Sequence, residues 1–379
     1  MYQKEAEMIK NFGNINNSRT VVYPPVGIAH ITDNLSDLIE TETRKASAIN
    51  IHSSAQPNSY PHLGSITTIM TGFALGKHFK DSFNLPVTLK FEYDNNSPAE
   101  KIEADGVTYS KMQIQNKIEG VRRDKHFINE FEYLFSYLEK KAGISRVART
   151  FEEFQCVPFV REKLIEIIKN DEFRHIVGPS ERKFHIRFPC PHCGYADKSG
   201  VFLHYTIKDN GLHLKSKCFE HGEIDLLLTP NNRAFIDFNT PLMDIIQGSL
   251  FIEEDSQENA VCIMFDGGDW SGVWASDILG QGLSSLGYKY EQFPLHFYAP
   301  IIEDWSGAKF SKSMYIEGND YNHIPEELLN LRKFRETYGD KGLDVIWEEV
   351  SDWVADPKKF FRNYTLDYFI SAFSKRGLI

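Results

Sequence analysis

Two short segments carry side chains that suit chemistry on a bound polyphosphate. The first, residues 56–65, which we call the histidine loop, ends in a run that includes His62, Gly64 and Ser65. A glycine lets the backbone approach a phosphate or an adenine ring, and a histidine can donate a hydrogen bond to a phosphate oxygen as its charge grows. A helix that begins here adds free N–H groups, which bind anions. The alternative is a plain loop that ends at a helix start.

The second segment, residues 309–313, which we call the lysine loop, has the sequence Lys309-Phe310-Ser311-Lys312-Ser313. Its two lysines, with small hydroxyl residues beside them, can reach the β- and γ-phosphates of ATP and neutralise the charge of the departing pyrophosphate. Taken alone, this segment would also fit an exposed basic loop. His62, Lys309 and Lys312 are the catalytic candidates that these two segments offer.

A third segment, residues 266–269, places glycines and carboxylates directly after a predicted strand. Gly267 would let a ribose or an adenine pack on the backbone, and Asp269 could accept hydrogen bonds from ribose hydroxyls. The alternative is a simple turn, which the same residue types favour. We predict that Gly267 and Asp269 contact the nucleotide.

Two pairs of metal-ligating residues lie in the segment 185–228. They are Cys190 with Cys193, and Cys218 with His221. Each pair encloses two residues and precedes a glycine, and four thiolate and imidazole ligands match the tetrahedral preference of structural zinc. No coordination position is left for a substrate, so the predicted Zn²⁺ is structural. His185 and His192 are possible substitutes, but the matching spacing of the two pairs favours the four residues named.

The elements that must position these residues follow an α/β pattern. Apolar spacing predicts strands at 46–51, 87–93, 260–265 and 293–298, and helices at 64–79, 127–138, 159–168 and 274–286. Strand, helix and strand recur on both sides of a long middle segment, which predicts one nucleotide-binding domain split by an insertion. Open α/β sheets bind ligands at the carboxyl ends of their strands, so we expect the loops after these strands to meet.

This pattern divides the chain into five predicted parts. They are an N-terminal arm (1–45), a first half of the nucleotide-binding domain (46–110), a connective insertion (111–230), a second half with the lysine loop (231–318) and a helical C-terminal unit (319–379). The insertion carries the four predicted zinc ligands, and we call these with their turns the zinc knuckle.

Composition narrows the class of protein. The 379 residues carry a formal net charge of −11, which argues against a protein that coats nucleic acid, and we predict no DNA partner. No apolar run approaches the roughly 18 residues that a membrane helix needs, and the first residues lack a secretory apolar region. We therefore predict a cytoplasmic protein with no membrane partner.

The histidine loop, Gln-Pro-Asn-Ser-Tyr-Pro-His-Leu-Gly-Ser, resembles the HIGH-motif region of class I aminoacyl-tRNA synthetases, and the lysine loop differs at one position from their KMSKS motif. Segment 266–269 is similar to their G-x-D-H or G-x-D-Q element, although Trp270 replaces the last residue. The nearest likeness is to class I lysyl-tRNA synthetase, which also lacks the second histidine of HIGH and carries a zinc knuckle in its insertion. Its KMSKS loop is often richer in serine than this one.

This resemblance implies a Rossmann-like class I synthetase catalytic domain, split by the zinc-bearing insertion and followed by a helical C-terminal extension. It implies ATP with Mg²⁺ as the source of an aminoacyl-adenylate, lysine as the favoured amino acid, and the tRNA acceptor end as the partner. The residues it implies as ATP contacts are Pro57, Gly64, Ser65, Gly267, Asp269, Ser311 and Ser313.

The amino-acid pocket is predicted from position along the chain. Gln56 and Tyr60 follow the first strand and Asp94 follows the second, and these residues together with Asp237 are the candidates for substrate contact. A cationic amino acid would need a buried carboxylate, which Asp94 or Asp237 could supply. Asp94 could equally lie in a surface turn. Glutamate would instead need an arginine, and Arg233 is available.

The sequence does not determine which molecule accepts the aminoacyl group. The residues after Ser313 are too few for a full anticodon-binding domain, so the aminoacyl group could pass to tRNA or, alternatively, to a small molecule, a carrier protein or a modified base. A third possibility is a non-catalytic, zinc-containing RNA-binding module. Lys309 and Lys312 argue against it, because such a module needs no pyrophosphate contacts.

Overall fold

The computed structural model describes residues 34–178, 181–208, 211–272, 274–311 and 324–379. Two residues of the lysine loop, Lys312 and Ser313, lie outside the described residues, as does most of the predicted N-terminal arm, 1–33.

Strands form a central sheet and several small ones. In chain order they are β1 (Ala48–Ala55), β2 (Val87–Tyr93), β3 (Pro98–Ala104), β4 (Val107–Met112), β5 (Lys117–Ile118), β6 (Val121–Arg122), β7 (Ser145–Thr150), β8 (Ile186–Arg187), β9 (Ala196–Asp197), β10 (His204–Lys208), β11 (Gly211–Cys218), β12 (Gly222–Leu228), β13 (Asp237–Phe238), β14 (Ala260–Gly267), β15 (Leu295–Ala299), β16 (Ile302–Glu303) and β17 (Tyr364–Thr365).

Helices cover the central sheet and form the C-terminal part of the chain. They are α1 (Leu35–Thr43), α2 (Leu63–Phe83), α3 (Arg123–Ala142), α4 (Phe151–Phe154), α5 (Pro158–Lys169), α6 (Phe173–Val177), α7 (Thr240–Glu258), α8 (Gln281–Ser285), α9 (Glu326–Leu329), α10 (Leu331–Ala355), α11 (Pro357–Phe360) and α12 (Leu366–Lys375). A π-helical turn, Trp274–Gly280, precedes α8. Within the described ranges, no helix is long and apolar enough to cross a membrane.

The central sheet has five strands in the order β15-β14-β1-β2-β7, and all neighbours are parallel. The chain builds the sheet outward from β1 in one direction through β2 and β7, and then in the other direction through β14 and β15. The strand order therefore reverses between β1 and β14, and in such sheets the carboxyl ends at the reversal form the ligand crevice. The predicted α/β fold with a parallel sheet and a helical C-terminus is confirmed.

Helix α2 carries the end of the histidine loop and lies directly on the sheet. Two glycines permit this close approach: a Cβ on Gly72 would lie 3.2 Å from Phe265 Cδ1, and one on Gly76 would lie 2.6 Å from Ile144 Cδ1. Because the helix is held this close, its N-terminus is fixed beside the carboxyl ends of β1 and β14. The helix ends at Asn84, whose left-handed conformation (φ 54°) and N–H bond to the Lys80 carbonyl close the last turn.

The C-terminal helices share the apolar core of the sheet. Trp353 and Phe369 are fully buried in the same cluster as the residues of β1 and α2. At the start of α10, the Leu331 N–H donates to the Pro61 carbonyl at 2.8 Å, which ties this helix to the histidine loop. A short strand, β17, interrupts the helical pattern and pairs in parallel with β16. The C-terminal unit therefore supports the site rather than standing apart from it.

The middle of the chain forms a second apolar core, in which α5, α6 and β11 pack against α7. The sequence did not predict β7, although it is the third strand of the sheet along the chain. It lies inside the range 111–230 that was assigned to the insertion, so the first half of the sheet extends further than expected. The five-part division otherwise stays a prediction.

Candidate active site

A cavity of about 740 Å³ opens at the carboxyl edge of the sheet, where the strand order reverses. It is lined by the loops that follow β1, β2, β14 and β15 together with the lysine loop. The predicted site residues that line it are Gln56, Tyr60, His62, Gly64, Ser65, Asp94, Gly267, Asp269, Lys309 and Ser311. Segments from both halves of the central sheet therefore meet around one space.

Three of the residues considered from the sequence lie elsewhere. Asp237 is buried on β13, where its carboxylate accepts from Asn96 Nδ2 at 2.6 Å and pairs with Arg187 at 2.6 Å, because β13 faces β8 of the insertion and not the cavity. Pro57 is buried at the tip of a tight turn outside the lining. Arg233 lines a separate hollow on the insertion side. The predicted contacts of Asp237 with substrate and of Pro57 with ATP are therefore not supported by their positions.

His62 is the cap of helix α2. Its Nδ1 accepts a hydrogen bond from the Gly64 N–H at 3.1 Å. A neutral imidazole that accepts at Nδ1 carries its proton on Nε2, so the ring presents a donor on its other side. Gly64 must stay a glycine to permit this, since a Cβ there would lie 2.9 Å from His62 Cε1. The spacing His-x-Gly is thus explained by the cap itself.

The lysine loop is brought to His62 by a short hairpin. The Phe310 N–H donates to the Ile302 carbonyl at 2.7 Å, and the Asp304 N–H donates to the Ala308 carbonyl at 2.8 Å. This places the Phe310 ring edge-on to the His62 imidazole, with centroids 5.2 Å apart and an interplanar angle of 83°. The two loops, distant in sequence, are in direct contact.

Lys309 forms an ion pair with Asp269, which follows the end of β14. Both side chains are partly exposed at the cavity mouth, so the pair contributes little to stability and either partner can exchange for another charge. Gly267 leaves room for this arrangement, because a Cβ there would lie 2.7 Å from Asp269 Oδ1. A triphosphate entering the mouth would meet the Lys309 ammonium held near the strand end.

Three carboxylic acids, which we call the floor, lie deeper in the cavity: Asp94, Asp244 and Asp266. Burial, together with the nearby Glu92 and Asp266, raises the pKa of Asp94 to about 8. Burial, together with the nearby Asp269, raises the pKa of Asp266 to about 7. The pKa of Asp244 is also raised well above its usual range by burial, against the effect of a hydrogen bond from Trp274. The free site therefore holds protonated carboxyls near neutral pH.

His296 on β15 also lines the cavity and adds no positive charge to it. Burial lowers the pKa of this imidazole to about 4, so it is neutral at physiological pH. Tyr298 lies beside it, with its hydroxyl 3.3 Å from His296 Nδ1.

Sequence reasoning missed the floor residues Asp244 and Asp266 and the neutral His296. Asp266 ends a predicted strand and could have been singled out on that ground. Asp244 lies near the start of α7, a helix that was not predicted, so the sequence held no usable signal for it.

Tyr60 connects the cavity wall to the C-terminal helices. Its hydroxyl lies 2.9 Å from His126 Nε2 on α3 and 3.3 Å from Arg332 Nη1 on α10. The ring packs edge-on against Phe127, with centroids 5.2 Å apart. The aromatic ring of the histidine loop is thus fixed by two helices before any ligand binds.

The four predicted zinc ligands converge. The Cys193 and Cys218 sulfurs are 3.5 Å apart, and His221 Nδ1 lies 3.6 Å from both Cys190 Sγ and Cys218 Sγ. Tetrahedral coordination at about 2.0–2.3 Å places ligand atoms roughly 3.5–3.8 Å apart, so these residues can hold a zinc ion. The glycines after the pairs, Gly194 and Gly222, have φ of 78° and 76°. These left-handed turns return the chain to the metal.

The zinc knuckle packs on a hairpin that also lines the cavity. Strands β3 and β4 pair with each other, and β4 pairs with β9 directly after the first ligand pair. The Tyr195 hydroxyl donates to Glu100 Oε1 at 2.6 Å, and Tyr109 and Phe219 pack with ring centroids 5.1 Å apart. Glu100 lies on the cavity side of this hairpin.

Known proteins resemble this chain only at the level of structure. No family model and no curated protein matches it. Solved structures similar to it include a methionyl-tRNA synthetase from Mycobacterium tuberculosis bound by methionyl-adenylate, with 10% identity over 87% of this chain and 68% of that one and a TM-score of 0.46. A glutamate-tRNA synthetase from Elizabethkingia anophelis has 11% identity over 87% and 70%, with a TM-score of 0.42. A putative arginyl-tRNA synthetase from Campylobacter jejuni has 9% identity over 90% and 67%, with a TM-score of 0.35. Likeness at this level says nothing about substrate.

Proposed function

We propose that this protein activates an amino acid with ATP to form an aminoacyl-adenylate and then transfers the aminoacyl group to tRNA. The observation that carries the proposal is the meeting of the two loops at the strand-order reversal. His62 packs on Phe310, and Lys309 pairs with Asp269 at the end of β14. A phosphate-directed histidine and a phosphate-directed lysine therefore share one cavity mouth, as adenylate formation requires.

In the proposed reaction, a carboxylate oxygen of the amino acid attacks the α-phosphorus of ATP. The bond from that phosphorus to the bridging oxygen of the β-phosphate breaks, and pyrophosphate leaves with the electron pair. Nε2 of His62 donates a hydrogen bond to phosphate oxygens as negative charge builds on them, and Lys309, released from Asp269, neutralises the pyrophosphate. Mg²⁺ would enter with ATP as its counterion, and Lys312 is proposed to act with Lys309.

The roles of the remaining residues are proposed from their positions in the cavity. Gly64, Ser65, Gly267, Asp269 and Ser311 line the mouth and are proposed to contact ATP. Gln56, Tyr60 and Asp94 line the inner wall and are proposed to contact the amino acid. Lysine remains the favoured amino acid from the resemblance of the loops, and the zinc ion is proposed to be structural.

Amino-acid-dependent ATP–pyrophosphate exchange tests the proposal. The protein is assayed against a panel of amino acids, with and without total tRNA. We expect exchange with at least one amino acid, and a fall of about 10²-fold or more in kcat for Lys309→Ala, since one charge contact to the transition state is lost. Lys341→Ala, an exposed lysine on α10 outside the cavity, is the matched control and should exchange normally.

Absence of exchange with every amino acid would refute adenylate formation and leave the zinc-containing RNA-binding module as the alternative. Exchange without charging of tRNA would refute tRNA as the acceptor and favour a small molecule, carrier protein or modified base. Normal exchange by Lys309→Ala would show that the lysine loop has been assigned wrongly.

A further inference from the structure

The charges of the cavity are unevenly distributed. Its positive groups, which we call the rim, are the exposed Lys101 and Lys309 and the half-buried Arg123, and the acids Glu100 and Asp269 are exposed beside them. The floor carries the three carboxylic acids and the neutral His296. A cavity with cations at the mouth and acids inside is suited to a ligand pair in which the outer partner is anionic and the inner partner is cationic.

The floor lacks a protein counterion within the described ranges. The ion pairs closest to it use other carboxylates, Lys309 with Asp269 and Arg149 with Glu92. Asp94 is only 5% exposed, and its Oδ1 has no hydrogen-bond partner among the described residues. A buried carboxyl oxygen without a partner destabilises the free protein, so it is retained where a ligand completes it.

Asp244 is the floor residue with a fixed orientation. The indole N–H of Trp274 donates to its Oδ2, and Trp274 lies in the π-helical turn before α8. Trp270 packs edge-on against Trp274, with centroids 4.6 Å apart at 85°, and both rings line the cavity. A carboxylate flanked by aromatic rings is an environment that binds ammonium and guanidinium groups.

We infer, on the basis of the proposed adenylation, that the floor binds an amino acid with two cationic groups and that Asp244, framed by Trp270 and Trp274, binds the cation of its side chain. Asp266 directly precedes Gly267 at the nucleotide side of the cavity, and it takes the α-ammonium together with Asp94. The α-carboxylate is then directed toward the mouth, where ATP lies.

This arrangement selects against other amino acids. A cationic side chain would stabilise the ionised form of Asp244, which burial otherwise keeps protonated, whereas a neutral side chain would gain no such attraction. Glutamate would add a further acid to a site that already holds three. Arg233, which glutamate would need, lines a different hollow. The pocket therefore distinguishes amino acids by whether their side chain carries a cation.

The test compares substrates and variants in pyrophosphate exchange. Lysine, ornithine and arginine are assayed beside norleucine, glutamine and glutamate, which lack the side-chain cation. We expect exchange with at least one of lysine, ornithine and arginine. We expect kcat/KM for norleucine, glutamine and glutamate to be far lower. Asp244→Asn should raise KM for the cationic amino acid about 30- to 1000-fold, the usual result of truncating one partner of a buried charge pair, and leave KM for ATP within about threefold.

Asp277→Asn changes an exposed carboxylate of the same π-helical turn outside the cavity, so it is the matched control and should be unaffected. ATP affinity and melting temperature of Asp244→Asn check that the variant is folded.

The failures can be told apart. No exchange with any amino acid overturns the proposed function. Efficient exchange with norleucine, glutamine or glutamate overturns the dicationic substrate and leaves adenylation standing. A folded Asp244→Asn with unchanged KM for the cationic amino acid overturns the role of Asp244 alone.

Discussion

Replacing Asp94 with asparagine should stabilise the free protein at neutral pH while impairing amino-acid binding. An unfolded aspartate ionises near pH 3.9, whereas burial raises the pKa of Asp94 to about 8 in the folded protein. Between these values the native state retains a proton that the unfolded state has released. Stability contributed by the protonated group is therefore lost as pH rises from about 4 to about 8. The asparagine side chain has no such dependence.

The magnitude follows from the width of that window. Each pH unit inside it costs about 1.4 kcal/mol, so from pH 4 to pH 7 the wild-type protein should lose up to about 4 kcal/mol relative to Asp94→Asn. The groups that face this carboxyl, one or more from each packed element, are Ser54, Glu92, Gln247 and Asp266. Ser54 and Gln247 lie beside the carboxyl and lower its pKa, so they reduce the difference, and they offer the new amide a partner.

Urea unfolding of both proteins at pH 5 and pH 8 measures this difference. We expect nearly equal free energies of unfolding at pH 5 or a small gain for the variant, and a gain of several kcal/mol for the variant at pH 8. Glu103→Gln, an exposed carboxylate on β3, is the control and should show no pH-dependent difference. A variant that is less stable than wild type at pH 8 would refute an uncompensated buried carboxyl at this position.

Three further predictions concern the geometry of the site and its supports. Gly64→Ala should lower kcat of pyrophosphate exchange about 10- to 100-fold with little change in melting temperature, because its Cβ would displace the His62 ring while alanine favours the helix. Gly76→Ala should lower the free energy of urea unfolding by about 1–2 kcal/mol, since the new methyl group meets Ile144 between helix and sheet. Cys193→Ser should lower bound zinc, measured by elemental analysis, and lower the melting temperature. An unchanged zinc content would mean that Cys193 is not a ligand.

The structure of a segment could be predicted where its own apolar residues are regularly spaced. β2 and α5 match their predicted ranges almost residue for residue, because each has a regular apolar face against one core. β7 escaped prediction because it is an edge strand with no buried residue, and its apolar Val147 is 59% exposed. The expected helix at 274–286 is instead a π-helical turn followed by α8, a change of hydrogen bonding that apolar spacing cannot signal.

The residues of the site could likewise be predicted mainly where they lie close together in the sequence. The histidine and lysine loops were found because each places reactive side chains at short, fixed spacing. Of the floor, Asp94 was found from its place after a predicted strand, whereas Asp244 and Asp266 were missed. The three residues come from the end of β2, from α7 and from β14, and they meet only after the sheet has formed. Asp237 was chosen for its place in the sequence, but its partner Arg187 comes from β8 and turns it into a buried ion pair of the insertion.

The four zinc-ligand candidates and the cavity share one hairpin, so a zinc ion held there would support the cavity wall without touching the cavity. Tyr195 follows the first ligand pair by two residues, and its hydroxyl holds Glu100 on the cavity side of β3. Loss of the metal would free that tyrosine, and the rim around Lys101 would lose its anchor. If the proposed function holds, a shortage of zinc or oxidation of these thiols would slow the reaction at the cavity entrance and leave His62 and Lys309 chemically intact.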